Sequence, residues 1–157
     1  MKERGIKINS IQVQLSLLTK PTLADENIKI ICDENEIEYL AYSPLALGIL
    51  TVPPHQSPKP KTFLRQSLFQ RILPKTIELR TLLTNIGKKY SASQTQVALN
   101  WVRSHGATPI VGIRNPFQAK DAISALNWSL TKSEKQSLDF HRNACLANMP
   151  QNPFTSP

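Results

Sequence analysis

Strand-like and helix-like runs alternate along this chain, and the alternation comes to only about three repeats, which limits the possible folds more than any other feature. Ile11 to Leu15 reads as a short apolar strand. Thr22-Leu23-Ala24-Asp25 has the spacing of a capping box, and Ile28, Ile31, Cys32 and Asn35 follow at helical intervals, which predicts a helix over Ala24–Asn35. Ile37 to Tyr42 is a second strand, apolar on both faces and stopped at Ser43-Pro44, where proline removes a ladder donor. Pro53, Pro54, Pro58 and Pro60 make Thr51–Lys61 an extended surface loop. Leu79, Leu82, Leu83 and Ile86 mark an amphipathic helix from about Pro74. Ser93-Gln94-Thr95-Gln96 has capping-box form and opens a helix with Val97, Ala98, Trp101 and Val102 inward, which Gly106 is placed to end. Pro109–Ile113 is the third strand, followed by an Asn115 N-cap, Pro116 at the first helical position and a helix with Ala119, Ala122, Ile123 and Leu126 as its buried stripe. Thr131-Lys132-Ser133-Glu134 caps a last helix to about Asn143, and the tail from Met149 reads as irregular.

Such alternation indicates parallel β/α units, whose strands are normally covered on both faces. A closed barrel of this class has eight strands and ~250 residues. The fold class read here is therefore α/β, a partial (β/α)8 TIM barrel made of about the last three β/α units and a C-terminal helix. Residues 1–145 form that domain and residues 146–157 an irregular tail. A three-stranded parallel sheet exposes its edges, and exposed edges invite association. Instability, self-association or dependence on a partner is expected.

The chain has 157 residues, 40% hydrophobic and 19% charged, which suits one globular domain. No run reaches the ~18 apolar residues of a membrane span, and the charged start, Met1 to Gly5, lacks the layout of a secretory signal, so a cytoplasmic location is the default. The net charge of +8 permits a phosphate or nucleic-acid partner, but the positives are scattered, densest between Lys59 and Lys89, with no interleaved aromatics. A basic, non-catalytic nucleotide- or nucleic-acid-binding module therefore ranks last among the readings. Cys32 and Cys145 belong to no metal-type spacing, and Cys32 falls on the apolar stripe of its helix. His55, His105 and His141 form no catalytic arrangement; no metal site and no acid, base or nucleophile is read.

What the chain does offer is binding groups. Between Val111 and Gln118 a strand runs into a turn and then a helix begins, which supplies backbone N–H groups and the positive end of a helix dipole. Gly112 lets a ligand approach the backbone, and Arg114 adds a positive charge that can fork onto phosphate. Tyr42, at a strand's C-terminal end, can stack on a flat heterocycle, and Gln12 offers a carboxamide.

Taken together, Ser10 to Leu18, Leu40 to Thr51, Gln96 to Val102 and Pro109 to Thr131 resemble, in order and spacing, the last three strand–helix units of the aldo/keto reductase family. The wording is nearest to plant-chloroplast and cyanobacterial members. That family comprises NADP(H)-dependent reductases of aldehydes and ketones on an eight-stranded β/α barrel. The resemblance implies that Gln12 holds the nicotinamide carboxamide and Tyr42 stacks on its ring. It implies that Ser43, Pro44 and Leu45 line the pyrophosphate path, that Gly112, Ile113, Arg114 and Asn115 surround the adenosine phosphate, and that Gln118, Asp121 and Ala122 lie beside adenine and ribose. Ile11, Leu15, Ala122 and Val52-Pro53 depart from the family's usual residues, each removing a hydrogen-bonding or loop-closing group. The family's catalytic Asp, Tyr, Lys and His have no counterpart here, and Tyr42 does not replace them. The expectation is a truncated reductase, inactive alone, that holds NADP(H) weakly or only once the barrel is complete. The alternative is one component of a split enzyme, completed by a separate N-terminal-half chain and only then acting on a small carbonyl substrate.

Overall fold

The computed structural model describes residues 7–20, 23–58, 60–147 and 149. The charged start Met1 to Gly5, the cap at Thr22, Lys59 of the proline-rich loop and the tail from Pro150 onward lie outside the described residues.

Strand β1 (Ser10–Gln14), helix α1 (Leu23–Glu34) and strand β2 (Glu38–Tyr42) form the first unit. A 3-10 segment, Ala46–Thr51, and the proline-rich loop lead to α2 (Phe63–Ile72), a 3-10 turn at Leu73–Thr76, α3 (Ile77–Lys89) and α4 (Gln94–Ser104). Strand β3 (Thr108–Pro109), α5 (Pro116–Ser124), a 3-10 turn at Ala125–Asn127 and α6 (Lys132–Ala144) complete the described chain. The strands are parallel, in the order β1-β2-β3.

Register assigns the two faces of the sheet. Ile11 lies beside Tyr39 and Val13 beside Ala41, whereas Gln12 lies beside Leu40, Gln14 beside Tyr42 and Leu40 beside Thr108. Val13, Tyr39 and Ala41 are buried. On the opposite face Gln12 and Thr108 are exposed, and Gln14, Leu40 and Tyr42 only half-buried. A parallel sheet normally has both faces covered; among the described residues this one is covered on a single side. The partial-barrel reading is met in this form: a wall with helices outside and a bare inner surface.

The core lies where α3 and α4 pack together. Leu79, Leu83 and Ile86 of α3 and Val97, Trp101 and Val102 of α4 are all buried, each set at helical spacing. The connection between them needs a glycine, since a Cβ on Gly87 would stand 2.5 Å from the Ala92 carbonyl oxygen. Gly106, at φ +72, ends α4 in the left-handed region as expected. Cys32 is buried in this core. Helix α6 carries the full capping box at Thr131 and Glu134, buries Leu138, and donates from Arg142 Nε at 3.0 Å to the Thr19 carbonyl.

The structure corrects several expectations. β3 stops at Pro109 rather than reaching Ile113. It pairs with β2 alone, and once Ile110 N has donated to Ala41 O at 2.8 Å, β2 itself ends one residue on, at Tyr42. α5 buries none of its residues; Ile123 and, just beyond it, Leu126 are exposed, because the helix packs on α4 and nothing described covers its other side. α2 was not anticipated: it has no side-chain cap, and its apolar residues divide between buried Phe69 and Ile72 and fully presented Phe63 and Leu64, each 84% exposed. Of the segment read as an irregular tail, Ala147 and Met149 are buried, and Met149 N donates to Leu18 O at 2.9 Å.

Candidate functional site

Because the strands are parallel, their C-terminal ends share one side of the sheet, and the predicted binding residues gather toward it in two groups, Gln12 from the middle of β1. Gln12 and Tyr42 belong to the first group. Both lie on the bare face, on neighbouring strands two residues apart in register. The chain leaves Tyr42 through a loop of unusual backbone. Ser43, Ala46 and Leu47 have φ of 54, 48 and 56, and Gly48 has φ of 93. Left-handed non-glycine residues are uncommon, and a cluster of them is a mark of functional loops.

Local hydrogen bonds hold that loop. Ala46 N donates to Ser43 O at 2.9 Å, Gly48 N to Leu45 O at 2.9 Å, and Thr51 Oγ1 to Gly48 O at 2.8 Å. Pro44 is buried and Leu45 half-buried beneath it. Sequence reasoning missed two residues that brace the loop from elsewhere. Arg65 of α2 donates to Leu47 O. Arg80 of α3, 1% exposed, donates to Val52 O at 3.1 Å, Pro53 O at 2.7 Å, Leu73 O at 3.0 Å and Thr76 Oγ1 at 3.0 Å. Burial pulls the Arg80 pKa down from its ordinary value. No pattern in the sequence signals either residue, since all but one of the partners named are backbone carbonyls.

The second group follows β3. Gly112, Ile113, Arg114 and Asn115 are all exposed, and a Cβ added at Gly112 would meet nothing within 4 Å, so the backbone there is open to a ligand. Asn115 caps α5: its side chain accepts from Gln118 N at 2.9 Å, while Gln118 Oε1 accepts from Arg114 N at 2.9 Å. Asp121 is engaged within the protein. Its Oδ2 accepts from Ser93 Oγ at 2.9 Å and its Oδ1 from Gln96 Nε2 at 2.8 Å. Gln96 thus does not close the expected capping box with Ser93; only the half in which Ser93 Oγ accepts from Gln96 N, at 3.2 Å, forms. Ala122 and Ile113 line an open apolar groove of ≈ 530 Å³ with Leu99, Pro109, Val111 and Leu126.

His105 stands apart from both groups. It shares the Asp139 carboxylate with Trp101 Nε1 (2.8 Å) and Lys135 (2.8 Å), itself lying 3.0 Å from it. Among the described residues no group of three His, Cys, Asp or Glu could hold a metal ion, and no helix is long and apolar enough to cross a membrane. The arrangement offers an aromatic face, a carboxamide, a constrained loop and a basic helix start.

The profile of the aldo/keto reductase family matches residues 1–143. A chloroplastic pyridoxal reductase from Arabidopsis thaliana is 40% identical over 154 residues, which are 98% of this chain and 42% of the relative. A probable pyridoxal reductase from Schizosaccharomyces pombe is 24% identical, covering 87% of this chain and 45% of the relative. Among solved structures, a glycerol dehydrogenase from Gluconobacter oxydans superposes with a TM-score of 0.72 at 24% identity, over 94% of this chain and 46% of its own. The NADPH complex of a Gox0644 mutant gives 0.64 at 15% identity, over 100% of this chain and 46% of its own. The chain spans less than half the length of each of these proteins.

Proposed function

The chain belongs to the aldo/keto reductase family, and from that premise we propose that it forms the nucleotide-holding part of an NADP(H)-dependent carbonyl reductase. The observation that carries this reading is the gathering of Gln12, Tyr42, the strained Ser43–Gly48 loop and the Gly112–Asn115 turn at one end of a parallel sheet. Ligands of open or closed α/β sheets sit at that end. The residues present suit a dinucleotide. Tyr42 offers a ring, Gln12 a carboxamide partner, and Arg114 with the capped start of α5 a place for phosphate beside open backbone at Gly112. Hydride is the chemistry that NADP(H) supplies when bound. This chain's own residues would hold and orient it.

A proton donor for carbonyl reduction has no candidate among these residues, so turnover would require further β/α units. The bare sheet face, the single-sided pairing of β1 and β3, and the apolar groove at the β3 edge support completion by such units. A second chain carrying them would make this one component of a split reductase. Titration of the purified chain with NADPH, read by cofactor fluorescence, tests the binding step. Saturable binding, weakened by Arg114→Ala and by Tyr42→Ala, is expected; absence of binding both alone and with the N-terminal part of the Arabidopsis relative would overturn the reading. With that partner present, pyridoxal is the aldehyde to assay, because the 40%-identical relative is named for it.

A further inference from the structure

Helix α5 presents the phosphate-facing turn yet buries none of its own side chains. Hydrogen bonds to α4 add to the slight apolar cover of half-buried Ala119 and Ala122. At its middle, Asp121 accepts from Ser93 Oγ and Gln96 Nε2. At its end, Arg103 donates to the Ala125 carbonyl at 2.8 Å. Gln96 is fixed in turn from its other side, because its Oε1 accepts from Trp128 Nε1 at 3.1 Å, and Trp128 is stacked on Tyr90 with ring centroids 4.4 Å apart. Its amide therefore cannot flip without facing one donor with another and one acceptor with another.

We infer that Asp121, clamped by Gln96 and Ser93, is a positioning residue that fixes the start of α5, and with it Arg114 and Asn115, for a nucleotide phosphate. This rests on the nucleotide-holding reading given above, and it gives Asp121 a role exercised through the helix. The clamp has a definite polarity: carboxylate on α5, amide on α4. Gln96→Glu places two carboxylates together, and Asp121→Asn removes the charge that assists both bonds and leaves an oxygen for only one of the two donors. The double variant Q96E/D121N reverses the pair. The amide introduced on α5 then donates to the carboxylate introduced on α4, while Trp128 and Ser93 keep their acceptors and the net charge is unchanged.

The test measures two quantities on the purified chain: binding of adenosine bearing both 2′- and 5′-phosphates, and amide hydrogen exchange of Phe117 to Lys120 relative to the amides of α3 in the same molecule. Each single variant is expected to weaken binding about tenfold, the scale of one lost charge-assisted hydrogen bond, and to speed exchange in α5 but not α3. The double variant is expected to return both to within about twofold of the parent, as a directly coupled pair should. A double variant as impaired as the singles, or exchange that rises equally in α3, overturns the clamp. If the parent does not bind the bisphosphate but the exchange pattern appears and is rescued, the positioning of α5 stands and the nucleotide reading falls.

Discussion

Arg142 of α6 and the carbonyl of Thr19, 123 residues earlier in the chain, are joined by two donors of one guanidinium, Nε at 3.0 Å and a terminal nitrogen at 2.5 Å. The same guanidinium carbon lies 5.1 Å from the centroid of the Trp101 ring. The last helix is thus tied both to the loop after β1 and to the core of α4. Replacing Arg142 by Met keeps apolar cover on Trp101 and removes the donors. We expect a loss of about 2 kcal/mol and a fall in Tm of roughly 4–8 °C, measured by calorimetry. An unchanged Tm would mean the tie contributes nothing.

Arg80 is buried with four neutral acceptors and no carboxylate among them. Arg80→Met strands the buried carbonyls of Val52 and Leu73, at a cost of about 2–4 kcal/mol. Lysine, a single ammonium on a flexible stem, does not reach all four and should rescue little. Denaturant melts give the stability. Limited proteolysis gives a second readout, with cleavage of the parent's proline-rich loop accelerated in both variants.

Acid should destabilise the chain in two stages. Burial holds the His105 pKa below its ordinary value, with Lys135 adding to the effect against the pull of Asp139. The folded form therefore binds fewer protons than the unfolded one, so stability begins to fall as pH drops below about 6.5. Burial alone would raise the Asp139 pKa, but hydrogen bonds from Lys135, Trp101 and His105 outweigh it and bring it down. Glu134 is likewise lowered, by Thr131, Tyr90 and Lys89 against its burial. The stability contributed by these two carboxylates is complete above about pH 5 and is lost as pH falls further, through their depressed values. Melting temperatures across pH 3–8 should show both declines, and His105→Gln should remove the first and shrink only the Asp139 share of the second, leaving that of Glu134.

Ile123 and Leu126 stand exposed beside the groove at the β3 edge. Concentration-dependent association in sedimentation experiments is expected for the chain alone, since an unpaired edge flanked by apolar surface invites contact. Ile123→Glu combined with Leu126→Glu should weaken that association without lowering Tm. If the parent stays monomeric at high concentration, this edge is not a contact surface.

What could be read from sequence follows how local each signal was. The Thr131 capping box and the Asn115 cap formed as their spacing predicts, because a cap depends on residues within one turn. The strands β1 and β2 were legible from their apolar runs. The stripe Ala119, Ala122, Ile123 and Leu126 has the right period for burial, but period cannot say whether a covering element is present, and here none is described. α2 was invisible because its apolar residues serve two opposite surroundings. At the site, the strand-end position of Tyr42 and the turn at Arg114 were readable. The left-handed backbone at Ser43, Ala46 and Leu47 was not, since none of these is a residue that favours it.

A helix fastened to its neighbour largely by a few polar links can loosen while the core between α3 and α4 stays intact. Damage to α5 would then leave the melting curve of this protein nearly untouched, and variants silenced there would pass every screen that scores heat resistance alone.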